Sequence, residues 1–180
     1  MTALGERGGV AALALRLLVL TAVRSMELRG ARWAEIDREA AVWIIAGERM
    51  KGGRDHRVPL TPEALAILET VRGLDRDLVF PGRKWGRPMG GSTLAAVLER
   101  AGYGEYTIHG FRSAFRDWAA ESTTFPREIA ELSLAHEVGN AVERSYRRSD
   151  LIQKRRDLMS QWAIFCLSAS AAGDVVEVRR

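Results

Sequence analysis

The stretch "AVWIIAGERMKGGRDHRVPL", residues 41–60, decides the fold class. "AVWIIAG" is rich in β-branched and aromatic residues and predicts a strand ending at Gly47. "KGGRD" predicts a turn, and "HRVPL" a second short strand. Strand, glycine turn and strand make a hairpin, with Lys51 at its tip or shoulder. Every other periodic segment reads as helix. Residues 10–22, "VAALALRLLVLTA", are apolar on nearly all sides and predict a helix central to the core. Helices are also predicted over 61–72, 92–103, 108–122, 126–136 and 150–170. Thr61 is the expected N-cap of the first of these, followed by Pro62 at the first helical position and Glu63 in the first turn. The segment 140–149 also reads as helical. The expected fold is α+β and mainly α: a helical bundle with a small antiparallel β-sheet or hairpin. No parallel βαβ series and no glycine-rich nucleotide loop occurs, which disfavours kinases, dinucleotide-binding dehydrogenases and P-loop ATPases.

The bulk numbers are those of an ordinary globular chain. It has 180 residues, 47% hydrophobic and 28% charged, with a net charge of +4 and a pI near 9.7. Arginine supplies nearly all the positive charge, and its planar fork suits phosphate oxygens. A single cysteine, Cys166, excludes a disulfide framework within the chain. The three histidines, His56, His109 and His136, are far apart in sequence and lack metal-ligand spacing. A metal-free, cofactor-free, cytoplasmic protein is expected. The apolar run near the start is interrupted by Arg16, closed by Arg24, and too short for a membrane span.

Several polar residues stand close to apolar helices. Arg24 directly follows the first helix in "LTAVRSMEL", so it needs an anionic partner, and Glu27 lies three residues on. In "HGFRSAFRDWAA", Phe111, Ala114, Phe115 and Trp118 form one predicted face. His109, Arg112 and Arg116 form another. His136 follows an apolar helix end, and Tyr146 sits among arginines in "VERSYRRS". Each of these residues alone reads as a core, capping or solvated side chain.

Taken together, the order Arg24, Lys51, His109-x-x-Arg112, His136, Tyr146 resembles the tyrosine recombinases, the phage-integrase family. "TAVRSMELRGARWAEID" resembles the family's first arginine box and "ERMKGGRDHRVPL" its lysine hairpin. "HGFRSAFRDWAAE" resembles its H-x-x-R box, and "LAHEVGNAVERSYRRSDLIQKRRDLM" its tyrosine box. The last is most similar to integrases of P4-like phages and genomic islands. The resemblance covers roughly residues 8–166.

This resemblance implies a tyrosine-recombinase catalytic core over residues 1–168, followed by a C-terminal tail, 169–180. It implies DNA strand cleavage and rejoining through a 3′-phosphotyrosine made by Tyr146, without a metal. Arg24, Arg112 and His136 would hold the phosphate oxygens, Lys51 would protonate the leaving oxygen, and His109 would accept or relay the tyrosine proton. Glu27 would orient Arg24. Double-stranded DNA is the implied partner, with Arg83, Lys84, Arg87, Arg116, Arg147 and Arg148 as candidate contacts. Lys154, Arg155 and Arg156 are further candidates, as phosphate contacts or surface charges. Self-association on DNA through the C-terminal segment is also implied. Family members usually carry a core-binding domain before this one. With about twenty residues ahead of Arg24, the chain is expected to be an isolated or truncated catalytic domain. The alternatives are an incompetent DNA-binding or assembly remnant, and a type IB topoisomerase, which the wording of the boxes disfavours.

Overall fold

Helix α1 (Val10–Thr21) is the axis around which the rest packs. The computed structural model describes residues 9–84, 86–139 and 149–168. Leucines and alanines face every side of α1, and Leu15, Leu17, Leu18 and Leu20 are fully buried. A helix with no polar face needs partners all round. One side of it meets the sheet, α3 (Pro62–Thr70) and α4 (Thr93–Arg100). The other side, through Val19, meets Phe115, Trp118 and Trp162. The arrangement is thus two apolar clusters sharing one central helix.

The order of elements is α1, α2 (Ser25–Arg29), β1 (Ile36–Asp37), β2 (Val42–Ile45), β3 (His56–Pro59), α3, α4, α5 (Gly110–Ser122), α6 (Arg127–Ser133) and α7 (Ile152–Ser168). The mainly helical α+β expectation is borne out. The sheet is antiparallel in the order β1-β2-β3. Trp43 pairs with Val58 and Ile45 with His56, which places Lys51 in the connection, as expected. Two features differ from the expectation. The first strand of the hairpin stops at Ile45, and Gly47–Arg49 form a 3₁₀ turn. A third strand, β1, adds Ile36 opposite Trp43; at two residues it was too short to leave a periodicity.

Local signals explain several boundaries. Thr61 accepts a hydrogen bond from the Ala64 N–H, the expected N-cap of α3. Ser92, by contrast, caps α4 with no side-chain bond. At α5 the cap oxygen comes from Thr107, which accepts from the Gly110 N–H at 3.0 Å. His109 is therefore the residue before the helix rather than part of it.

Helix α7 closes the second cluster. The Trp162 ring meets Phe115 edge-on at 5.4 Å and lies 5.1 Å from Trp118. Its Nε1 donates to the Val19 carbonyl at 2.7 Å, so the indole is satisfied at both ends. The predicted stripe on this helix is only partly right. Leu158 and Trp162 are buried, but Phe165 is 40% exposed and Leu151 precedes the helix in a left-handed conformation.

Candidate active site

Arg24 opens α2 at the seam between the two apolar clusters. Its backbone N–H donates to Glu27 Oε2 at 2.7 Å, and its Nη1 donates to Oε1 at 2.8 Å. Glu27 is buried, with its side chain 4% exposed, whereas that of Arg24 is 30% exposed. A buried carboxylate needs a cation, and Arg24 supplies it. The expected pairing is therefore present. Among the described residues, Arg24 Nε and Nη2 form no further bond, which leaves one edge of the guanidinium uncommitted.

Arg112 lies on the inner face of α5, not on a solvated one. It is 4% exposed. The predicted face assignment is corrected here: Ala114 is exposed, while Arg112 turns inward beside Phe115. Arg112 Nη1 donates to the Ala22 carbonyl, and Nη2 to the Leu134 carbonyl at 2.7 Å. The arginine thus bridges the end of α1 and the end of α6. Ala22 carries a positive φ of 51°, the left-handed turn that ends α1. Burial, then repulsion from Arg24, pushes the Arg112 guanidinium down to about 10, against the pull of Glu27. It stays charged at neutral pH, and Arg24 and Arg112 are neighbours despite like charge.

His136 joins this pair. Its Nε2 lies 3.4 Å from Arg112 Nη2. The backbone explains the placement. The His136 N–H bonds to the Glu131 carbonyl at 2.9 Å and the Ala135 N–H to the Leu132 carbonyl at 3.2 Å. This is a Schellman ending with Ala135 as its left-handed residue, φ 52°. On the ring, Nδ1 lies 2.6 Å from Glu131 Oε2.

Lys51 and His109 stand apart from this group. Both are exposed, and among the described residues neither side chain forms a hydrogen bond or ion pair. His109 lies one turn before Arg112 in the chain. Lys51 lies in the loop between β2 and β3, between Met50 and Gly52, which line an open cleft together with His136. Tyr146, Arg147 and Arg148 lie outside the described residues. The structure therefore brings Arg24, Glu27, Arg112 and His136 into one cluster and leaves Lys51 and His109 at its margin.

The sequence did not reveal the roles of three residues of this region. His56, on β3, is 7% exposed and faces the arginines. Burial, then repulsion from Arg155, lowers it to about 3, with a hydrogen bond to the Ser133 backbone acting the other way and Arg112 and Arg24 lowering it further. Glu131 holds Arg116 Nε at 2.9 Å and Arg127 Nε at 3.3 Å as well as His136. Arg155, read from sequence as a phosphate contact or surface charge, is buried in α7 and donates from Nη2 to the Arg57 carbonyl at 2.6 Å. Arg156 is likewise turned to the protein, bonding the carbonyls of Ala40 and Ala41 at 2.9 and 3.3 Å. In that basic run only Lys154 is exposed.

Arg83, Lys84 and Arg87 are exposed on the loop before α4, open to an anionic partner. Arg116 is half-exposed but bonded to Glu131. Among the described residues, no group of three or more histidine, cysteine or carboxylate side chains is placed to hold a metal ion. No described helix is long and apolar enough to cross a membrane.

Residues 6–151 match the model of the phage integrase family. The chain belongs to that family. Its fold is accordingly that of a tyrosine-recombinase catalytic core. It is 43% identical over 162 residues to the prophage integrase IntA of Escherichia coli K12, covering 88% of this chain and 39% of that protein. It is 37% identical over 153 residues to prophage integrase IntZ of the same organism, covering 83% and 38%. With the integrase of Enterobacteria phage P4 it shares 33% over 170 residues, covering 84% and 39%. The chain spans about two fifths of the length of these relatives. The matched integrase region takes in Arg24, Lys51, His109, Arg112, His136 and Tyr146.

Proposed function

We propose that this chain provides the catalytic domain, within residues 1–168, of a site-specific recombinase acting on double-stranded DNA. The observation that carries the proposal is the juxtaposition of Arg24 and Arg112. One guanidinium is 4% exposed and anchored on the Ala22 and Leu134 carbonyls, and the other, bonded to Glu27, is close enough to repel it. Like charges gathered at this cost call for a doubly coordinated anion such as a phosphodiester.

In the proposed reaction, the Tyr146 phenol oxygen attacks the scissile phosphorus. A P–O bond to tyrosine forms as the P–O5′ bond breaks. The phenolic proton passes to His109, and Lys51 gives a proton to the departing 5′-oxygen. Arg24, Arg112 and His136 hold the non-bridging oxygens while charge gathers on them. Rejoining is the same step reversed, by attack of a DNA 5′-hydroxyl on the phosphotyrosine. The arginines carry the charge that a metal ion carries in other phosphoryl-transfer sites. Arg83, Lys84, Arg87, Arg116, Arg147 and Arg148 would add phosphate contacts, giving affinity and salt dependence rather than sequence choice. Self-association on DNA through the C-terminal segment completes the proposal.

The test is adduct formation on a nicked suicide duplex in the presence of a chelator. The wild-type chain is expected to form a covalent protein–DNA adduct, and Tyr146→Phe none. An adduct with Tyr146→Phe, or one that requires added metal, overturns the proposal. Binding without any adduct would favour a DNA-binding or assembly remnant.

A further inference from the structure

Arg49 closes the 3₁₀ turn that leads into the Lys51 loop, and its side chain is turned into the protein. Nη1 donates to Glu35 Oε1, and Nη2 donates to the backbone carbonyl of Glu27. Glu35 is itself fixed. Its other oxygen accepts from the buried Trp43 indole at 3.0 Å and from the Arg32 N–H at 3.1 Å. A glycine makes room for the contact: a Cβ on Gly30 would stand 2.9 Å from Arg49 Nη2. The next residue, Met50, is buried in the larger apolar cluster.

The far leg of the loop closes on this root. The Gly53 N–H donates to the Met50 carbonyl at 3.1 Å, and the Gly47 N–H to Asp55 Oδ1 at 2.8 Å. The two legs touch, since a Cβ on Gly47 would meet the Gly53 carbonyl oxygen at 2.7 Å. The backbone at Lys51 is therefore held by Arg49 and Met50, while the lysine side chain stands exposed. Glu27 links that root to the arginines. Its carboxylate binds Arg24, and its carbonyl receives Arg49. A helix of five residues leaves most of its carbonyls without an intrahelical donor, and Arg49 fills this one. A lysine on a flexible stem is aimed mainly by where its backbone is held. A misplacement of about 1 Å can cost roughly 10² in rate.

We infer that Arg49 is a positioning residue: by tying the Lys51 loop to the residue that orients Arg24, it sets the proton donor against the phosphate that Arg24 holds. This rests on the recombinase reading, in which Lys51 protonates the departing 5′-oxygen.

The test replaces the bridging 5′-oxygen at the scissile phosphate of the nicked suicide duplex with sulfur. Tyr146 still forms its P–O bond, but now a P–S bond breaks. The electron pair leaves on a thiolate, which is far less basic than an alkoxide and needs no proton. Adduct rates on the two duplexes are compared for wild type, Lys51→Ala and Arg49→Lys. The lysine at 49 keeps a cation for Glu35 but lacks the fork that spans Glu35 and the Glu27 carbonyl. Lys51→Ala is expected to lose about 10²–10⁴ on oxygen and to recover on sulfur. Arg49→Lys is expected to lose about 10–100-fold on oxygen and to stay within about threefold of wild type on sulfur. A fast sulfur reaction also shows that the variant folds and binds DNA.

If sulfur rescues Lys51→Ala, two results for Arg49→Lys overturn the inference and leave the recombinase reading standing. One is a loss of equal size on both duplexes, and the other is no loss on oxygen. Lys51→Ala that sulfur does not rescue, or wild type that forms no adduct, overturns that reading and the inference with it. Should Arg49→Lys fail to fold, Gly30→Ala carries the same comparison, because its methyl displaces the guanidinium while keeping Arg49.

Discussion

Arg155 Nη2 donates to the carbonyl of Arg57 at 2.6 Å, tying helix α7 to the hairpin strand β3. The return contact is the Arg57 side chain, whose Nη1 donates to Asp150 Oδ2 at 3.3 Å just before α7. The C-terminal half of the tyrosine box is thus fastened to the strand next to the Lys51 loop. Arg155 is buried, its Nε has no hydrogen-bond partner among the described residues, and burial holds its guanidinium down to about 10.

A buried arginine with a carbonyl to satisfy is sensitive to truncation. Arg155→Ala is expected to destabilise the chain by about 3 kcal/mol in urea unfolding, through the lost volume and the stranded carbonyl. Arg155→Met, which fills the space without a charge to desolvate, should cost clearly less. Equal losses from the two would show that the hydrogen bond, not packing, dominates.

Ala135 occupies a left-handed position where glycine is the natural occupant. Ala135→Gly should therefore stabilise the fold by up to about 1 kcal/mol in thermal unfolding. The same change frees the turn that aims His136, so adduct formation should slow even as Tm rises. A parallel fall in both would argue that the Ala135 methyl packs more than it strains.

His56 gives the fold an acid limit. Its folded value of about 3 lies below its ordinary 6.5, so the unfolded chain binds more protons between those values. By linkage, stability contributed by the neutral ring is intact above about pH 6.5. It is lost as pH falls toward 3, at most about 1.4 kcal/mol per pH unit. Denaturation midpoints measured from pH 7 to 4 should fall more steeply for wild type than for His56→Gln. Parallel curves would remove His56 from this account.

Arg112→Lys keeps a charge but cannot span the Ala22 and Leu134 carbonyls while presenting a fork. Adduct formation should drop by about 10²–10³. Because the lysine also leaves a carbonyl unsatisfied, stability should fall by about 1–3 kcal/mol. A lysine variant as active as wild type would show that charge alone suffices there.

The sequence made the helices, the hairpin and the Arg24–Glu27 pair legible because each rests on local chemistry: periodicity, a glycine turn, an arginine abutting an apolar helix. What stayed hidden depended on distant partners. Arg155 sits in "KRR", which reads as a solvated run, and only the approach of β3 reveals that its first arginine points inward. Ala22 and Ala135 carry no letter-level sign of a left-handed turn, since glycine is what marks such turns. Glu131 looked like one more helix carboxylate until the Schellman ending curled His136 back onto it. His56 read as an ordinary strand residue until the two arginines packed opposite. Of the site itself, residue types and order were readable. Which of them are anchored and which stand free was not.

Helix α1 has no free side, and that divides labour in the molecule. Ala22 and Arg24 hang from its end, so neither can shift without disturbing both apolar clusters at once. They behave as an anvil. In the recombinase proposed above, adjustment to a curved or mismatched duplex would fall to the exposed residues 51–55 of the hairpin loop. Variation that retunes a choice of DNA would have room there, and almost none along residues 12–24.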